Sequence, residues 1–276
     1  MMSLKRKIYN FCHPKVGEIW CLHRVLSERS AFKSNRDLEI TPEYLERLVL
    51  GKQRQGFRFV DLDGFVEAAN GKRWEKNLVH VTFDDGFADV FTQAYPVLKQ
   101  YNVPFTLYVT TDMPDGKADL WWLQLEQMAQ GDEEWFEKSI KQIYDCNESI
   151  ASVMHSVTSS IPDLTLCKQL SLSWEQLRIM VTEGLCTVGS HGVTHSAFSL
   201  LSEEQAVAEL FNSKRRLEEM LGVAVRHFSY PHSFFNENTN QWVWQAGYET
   251  AVVGYGGATR RKKGIKFFNR YFIVQP

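Results

Sequence analysis

No two of the five cysteines in this 276-residue chain form a Cys-x-x-Cys pair, and Cys12, Cys21, Cys146, Cys167 and Cys186 are scattered along it. That pattern argues against a thiolate zinc site or a disulfide framework and suits a reducing compartment, with the cytoplasm as the expected location. Long apolar runs are missing too, so no membrane span is expected. The basic opening Lys5-Arg6-Lys7 is not followed by an apolar stretch, so no secretory signal is expected either. Charge of one sign is absent: 31 Lys and Arg against 33 Asp and Glu leave a formal net charge of -2. Nothing global therefore points to nucleic acid or to a membrane surface as a partner. Repeats and low-complexity linkers are absent as well.

What is there alternates. Residues 18–25 read as a buried strand, and Thr41-Pro42-Glu43 as the cap, first-turn proline and acidic start of a helix. A second strand is predicted over 57–62, a third over 79–83, and a helix over 90–98 that bends or restarts at Pro96. Residues 104–111 give another strand. Such βα alternation means a parallel sheet or barrel. Between about Met113 and Leu170 the rhythm breaks into helical spacing, with Trp121, Trp122, Leu125, Trp135, Phe136 and Ile140 at core-like positions. This is expected to be a helical insertion within one domain spanning residues 1–276. Strands at 185–191, 226–231, 250–253 and 267–274 resume the pattern, with a long helix from Ser202 to a stop at Gly222. The expected fold is α/β, a distorted TIM-like (β/α) barrel of about seven parallel strands.

Two strand ends carry the chemistry. Val79-His80-Val81-Thr82-Phe83 alternates with period two and stops at Asp84-Asp85-Gly86, where adjacent carboxylates leave a strand in different directions. Alone this is equally a turn or a helix cap. Ser190-His191-Gly192-Val193-Thr194-His195 places two histidines four apart at the end of another predicted strand. Alone, that is more often a satisfied surface or core pair than a metal site. Together, His191, His195 and Asp85 make a three-ligand site for a divalent metal that leaves a position for water, and Asp84 is left to act as general base in metal-assisted hydrolysis.

Thr82-Phe83-Asp84-Asp85-Gly86 followed by Ser190-His191-x-x-x-His195, and then by Ser229-Tyr230-Pro231-His232, resembles the polysaccharide deacetylase family. This is the NodB-homology fold, carbohydrate esterase family four, here with a Tyr-Pro form of the third motif. Leu22-His23-Arg24-Val25, Trp174-Glu175-Gln176-Leu177 and Ala246-Gly247-Tyr248 extend the likeness to nearly the whole chain. The resemblance implies removal of an acetyl group from an N-acetylated sugar. It makes Asp84 the base and Asp85, His191 and His195 the ligands of a metal, usually zinc, with cobalt or nickel able to serve. The backbone N–H of His232 becomes an oxyanion donor, and Tyr230 and Pro231 become substrate contacts. A carbohydrate substrate is the expected partner.

Departures follow. Gly192 stands where the family usually has a loop-stabilising Ser or Thr, and Ser229 where many members have an arginine that orients the base. No histidine follows His232 to serve as the general acid. His23 is the candidate acid, or else a structural histidine. Arg270 is the candidate partner of Asp84 or of substrate, or else a surface arginine. Arg260-Arg261-Lys262-Lys263 is a solvated loop, or a contact for the phosphates of a carrier-linked sugar. Other outcomes left open are an inert carbohydrate-binding barrel, a deformylase and a cyclic amide hydrolase.

Overall fold

All six residues of the strand that leads to Asp84 are buried, because it lies inside a parallel sheet covered on both faces. The structure is a computed structural model and describes residues 13–145 and 164–276. The strands are β1 (Lys15–Leu22), β2 (Arg24–Val25), β3 (Glu39–Ile40), β4 (Arg58–Phe59), β5 (Leu78–Phe83), β6 (Phe105–Val109), β7 (Cys186–Ser190), β8 (His227–Ser229), β9 (Thr250–Val253), β10 (Thr259–Arg260), β11 (Phe267–Asn269) and β12 (Tyr271–Phe272).

Parallel pairing runs β1-β5-β6-β7-β8-β9-β11. β12 then pairs parallel with β1, Trp20 opposite Tyr271 and Cys21 opposite Phe272. β11 and β12 are separated by Arg270 alone, so one short segment bridges the two ends of the sheet and nearly closes a distorted barrel. The C-terminal strand ends share one rim, which carries His23, Asp84, Thr110, His191 and Tyr230. Such a rim is where parallel α/β barrels gather their functional groups.

The helices start and stop where the sequence signals them. Thr41 Oγ1 accepts from the Tyr44 N–H at 3.2 Å, and capping boxes at Ser173 and Ser202 open the helices Trp174–Thr182 and Glu203–Leu221. Gly222, at φ 69°, ends the latter. Val90–Ala94 forms a π-helical turn and the α-helix restarts at Tyr95 with Pro96 in its first turn, where a missing N–H costs nothing.

Three expectations change. The strand expected over 57–62 is only Arg58–Phe59, an edge addition to β5. The strand expected over 267–274 is broken at Arg270, because its two halves pair with different neighbours. The basic run is a solvated loop only in part: Lys262 and Lys263 are exposed, whereas Arg260 lies in β10, antiparallel to the start of β1, and its Nη1 donates to His13 O at 2.9 Å. Arg261 donates to the Glu75 carbonyl at 3.0 Å and covers the Trp74 ring at 4.1 Å. The run therefore sits at the barrel end opposite the rim, away from any substrate phosphate there.

Within residues 113–170 the helices Trp121–Ala129, Glu133–Asp145 and Leu164–Leu170 form a second apolar cluster with Phe32 and Phe87. Residues 146–163 of the expected insertion lie outside the described residues.

β5 also buries His80, whose Nδ1–H donates to Val60 O at 2.8 Å while Nε2 accepts from Thr106 Oγ1 at 2.9 Å. Burial lowers its pKa from 6.5 to about 4. Between those values the unfolded chain binds the proton and the folded chain does not, so stability falls as pH drops from 6.5 toward 4. At pH 5 this amounts to about 2 kcal/mol. Urea unfolding at pH 7 and pH 5 is expected to show a larger loss for the parent than for His80→Gln, whatever the variant's absolute stability. Equal losses in the two proteins would rule this contribution out.

Candidate active site

The rim turns out of β5 with two carboxylates in different places. The Asp84 N–H still pairs with Leu22 O at 3.0 Å, as a strand residue would, whereas Asp85 and Gly86 take φ of 75° and 114°. The left-handed conformation at Asp85 costs energy in a non-glycine residue and swings its side chain away from that of Asp84. The Asp85 carbonyl accepts from the Thr110 N–H at 2.9 Å, which ties the turn to the end of β6.

Asp84 points into the barrel and meets Arg270. Nη1 donates to Oδ1 at 2.7 Å and Nη2 to Oδ2 at 2.6 Å, a bidentate pair with the guanidinium 1% exposed. The other donors of Arg270 reach Val253 O at 3.1 Å, Thr82 Oγ1 at 2.9 Å and Ser229 Oγ at 2.9 Å. Ser229 in turn donates to Asp84 Oδ2 at 3.2 Å. The serine at the expected arginine position therefore bridges an arginine delivered from the other side of the barrel. Burial raises the Asp84 pKa, but the adjacent guanidinium, followed by His191, more than offsets it and holds the carboxyl below its usual range. Of the two roles expected for Arg270, the geometry gives contact with Asp84. The side chain lies behind that carboxylate with its donors spent, so contact with substrate is excluded.

Asp85 Oδ1 lies 3.5 Å from His191 Nε2 and 3.2 Å from His195 Nε2. His191 Nδ1–H donates to the Ser229 carbonyl at 2.7 Å, which leaves the Nε2 lone pair directed at the cluster. Asp85 Oδ1 is buried and accepts no aligned hydrogen bond despite these neighbours. A buried, unsatisfied carboxylate oxygen facing two imidazole nitrogens fits a divalent cation with oxygen and nitrogen ligands. These three residues form a possible metal site. His195 is held at φ 62°, its ring 5.5 Å from Trp122 and 4.5 Å from His232.

The remaining candidates are spread around the same cavity, about 370 Å³ in volume. His23, between β1 and β2, lines it half-buried, with a ligand atom within 4.8 Å of those of Asp84 and Cys21. Burial lowers its pKa. His232 also lines the cavity, at φ 55°, with Nδ1 3.2 Å from Tyr144 Oη and a buried, unpartnered Nε2. Burial, then the neighbouring His195, keeps its imidazole neutral. Tyr230 is among the residues around the cavity, but its ring packs in the core against Phe198, Phe228, Phe235 and Phe267 and its hydroxyl donates to Asn240 Oδ1 at 3.0 Å. Pro231 is buried in the turn that carries His232.

The sequence reading missed the far wall. Trp121 and Trp122 of the helix Trp121–Ala129 and Tyr144 of the helix Glu133–Asp145 line the cavity, as do Tyr255 and Phe272. Helical spacing marked the tryptophans as core, and they are largely buried, yet both also line the cavity. For Tyr255 and Phe272 no motif was available.

Breaking a buried ion pair by removing one partner typically costs about 3–5 kcal/mol. Arg270→Met is expected to lose stability on that scale. Arg270→Lys, which cannot bond both oxygens in the same plane, should fall between it and the parent. Denaturant unfolding of the three proteins measures this, and a Met variant as stable as the parent would refute the coupling.

The family model for polysaccharide deacetylases matches residues 71–251. The Bacillus subtilis protein YxkH, whose name places it among polysaccharide deacetylases, is 24% identical over 199 residues, covering 72% of this chain and 52% of YxkH. The chain thus spans about half the length of that relative. Among solved structures, IcaB from Ammonifex degensii is 22% identical, with a TM-score of 0.67 over 94% of this chain and 92% of its own. The Streptococcus pyogenes deacetylase PplD is 19% identical, with a TM-score of 0.69 over 95% and 93%. At such identities these structures share the fold. The family match runs through both the Asp84-Asp85 turn and the His191–His195 loop, and the chain belongs to the polysaccharide deacetylase family.

Proposed function

We propose that this chain is a metal-dependent hydrolase that removes the N-acetyl group from an N-acetylated sugar in a glycan or cell-surface polysaccharide precursor. One observation carries the reading: a buried three-ligand cluster, Asp85, His191 and His195, stands beside a second carboxylate that a buried arginine keeps ionised. Asp85, His191 and His195 would hold a divalent ion, zinc for preference on their nitrogen and oxygen donors, which would lower the pKa of water and polarise the acetamide carbonyl.

The chain's own groups then divide the proton work. Asp84 accepts a proton from the attacking water as the new C–O bond forms. The oxyanion that develops takes a hydrogen bond from the His232 N–H. His23, close to Asp84, receives that proton and gives it to the nitrogen as the C–N bond breaks, and acetate and the free amine result. Trp121, Trp122 and Tyr144, within the insertion read over residues 113–170, complete the cavity on the side of the sugar.

An inert carbohydrate-binding barrel was the rival reading because Asp84 lacked its usual partner. Arg270 in contact with both Asp84 oxygens removes that ground. The buried, unpaired Cys21, Cys167 and Cys186 support a reducing, cytoplasmic location as part of the same proposal.

Asp85→Ala is expected to lose bound metal by elemental analysis, whereas Asp84→Asn keeps it and loses acetate release by about 10²-fold or more. The substrates are chito-oligosaccharides and N-acetylated sugar nucleotides. Metal-loaded protein that releases no acetate from any of them would favour the inert reading. His23→Ala is expected to lower kcat far more than metal affinity, and unchanged turnover would remove His23 from the mechanism.

A further inference from the structure

The loop between the two candidate ligand histidines has most of its polar backbone groups assigned. The His191 N–H donates to Val109 O at 2.9 Å and the Gly192 N–H to Ser190 Oγ at 3.2 Å. The carbonyls of Gly192 and Val193 accept from the Thr111 and Asp112 N–H groups at 3.1 and 3.0 Å. The next two donors, immediately before His195, go to one carboxylate. Glu209 Oε2 accepts from the Val193 N–H at 2.6 Å and the Thr194 N–H at 3.1 Å, and Oε1 accepts from Thr194 Oγ1 at 2.8 Å.

Glu209 sits in the helix Glu203–Leu221, three residues past the buried Ala206 that anchors this part of the helix. The cations further along that helix are engaged elsewhere, Lys214 with Glu218, Arg215 with Glu219 and Arg216 with Asp115. The Glu209 carboxylate is committed instead to the loop. Hydrogen bonds from N–H to carboxylate are among the stronger ones, and this set pins consecutive peptide planes. It does so where His195 is forced to φ 62°, an unfavourable conformation that must be imposed from outside. At Gly192 φ is 81°, and a Cβ there would meet at 2.9 Å the same Glu209 Oε2 that holds the loop, so it fits only if that carboxylate gives way.

We infer that Glu209 is a positioning residue for the metal site, a carboxylate clamp that sets the backbone of His195, and that Gly192 is glycine so that this carboxylate can close on the loop. The inference rests on the metal-site reading above, because positioning His195 matters only if His195 is a ligand.

The test is Zn²⁺ affinity, measured by chelator competition on the full chain, with circular dichroism and thermal unfolding as fold controls. Glu209→Ala is expected to weaken Zn²⁺ binding by about 10–100-fold, the usual effect of losing a group that orients a ligand, with helix content unchanged. Glu209→Gln, which keeps a neutral acceptor, should recover part of the loss. Gly192→Ala should weaken binding in the parent and weaken it less in the Glu209→Ala background, a non-additivity that a general loss of stability does not produce. Parent-like affinity in both Glu209 variants, with Zn²⁺ lost from Asp85→Ala, overturns the clamp. Parent-like affinity in Asp85→Ala overturns the metal site itself.

Discussion

The bidentate contact between Arg270 and Asp84 couples the closure of the barrel to the state of its site. Arg270 is the single residue between β11, which pairs with β9, and β12, which pairs with β1. The break in the closing segment places this residue where its side chain enters the barrel, and the guanidinium finds the carboxylate at the end of β5. Burying either charge alone is strongly unfavourable, so each requires the other. Thr82, Ser229 and the Val253 carbonyl share the remaining Arg270 donors, which ties β5, β8 and β9 into the same network. The consequence for chemistry is an Asp84 that stays ionised despite full burial. A carboxylate held this way can accept a proton without first losing one.

Around that pair, the rim is built from backbone conformations that side-chain-bearing residues seldom adopt. Asp85, His195, His232 and Ser233 all lie in the left-handed region. Each costs on the order of 1–3 kcal/mol, and each is held by contacts the rest of the fold supplies: Thr110 for Asp85, Glu209 through the preceding peptides for His195, and the short turn after β8 for His232 and Ser233. The strain buys geometry, in that three ligand atoms converge on one point while Asp84 faces elsewhere. The helices Trp121–Ala129 and Glu133–Asp145 form a separate apolar cluster beside the cavity, and they bring Tyr144 against His232 and Trp122 against His195.

The sequence by itself determined the parts whose cause is local. Period-two alternation through 79–83 ends in a strand whose residues are all buried, and the caps at Thr41, Ser173 and Ser202 begin helices because a side-chain oxygen there reaches a free N–H within the next turn. The Asp84-Asp85-Gly86 and His191-x-x-x-His195 motifs were legible because they sit at strand ends, and parallel topology sends such ends to one rim. The tertiary structure decided what depends on distance along the chain. That Arg270, 186 residues from Asp84, takes the place of an arginine absent at 229 is a consequence of barrel closure, not of spacing. That the tryptophans at 121 and 122 also line the cavity, and that Glu209 reaches back across a helix to the loop before His195, are likewise outcomes of packing between segments. Periodicity records which face of an element is buried, but what that face is buried against is fixed only when the chain closes on itself.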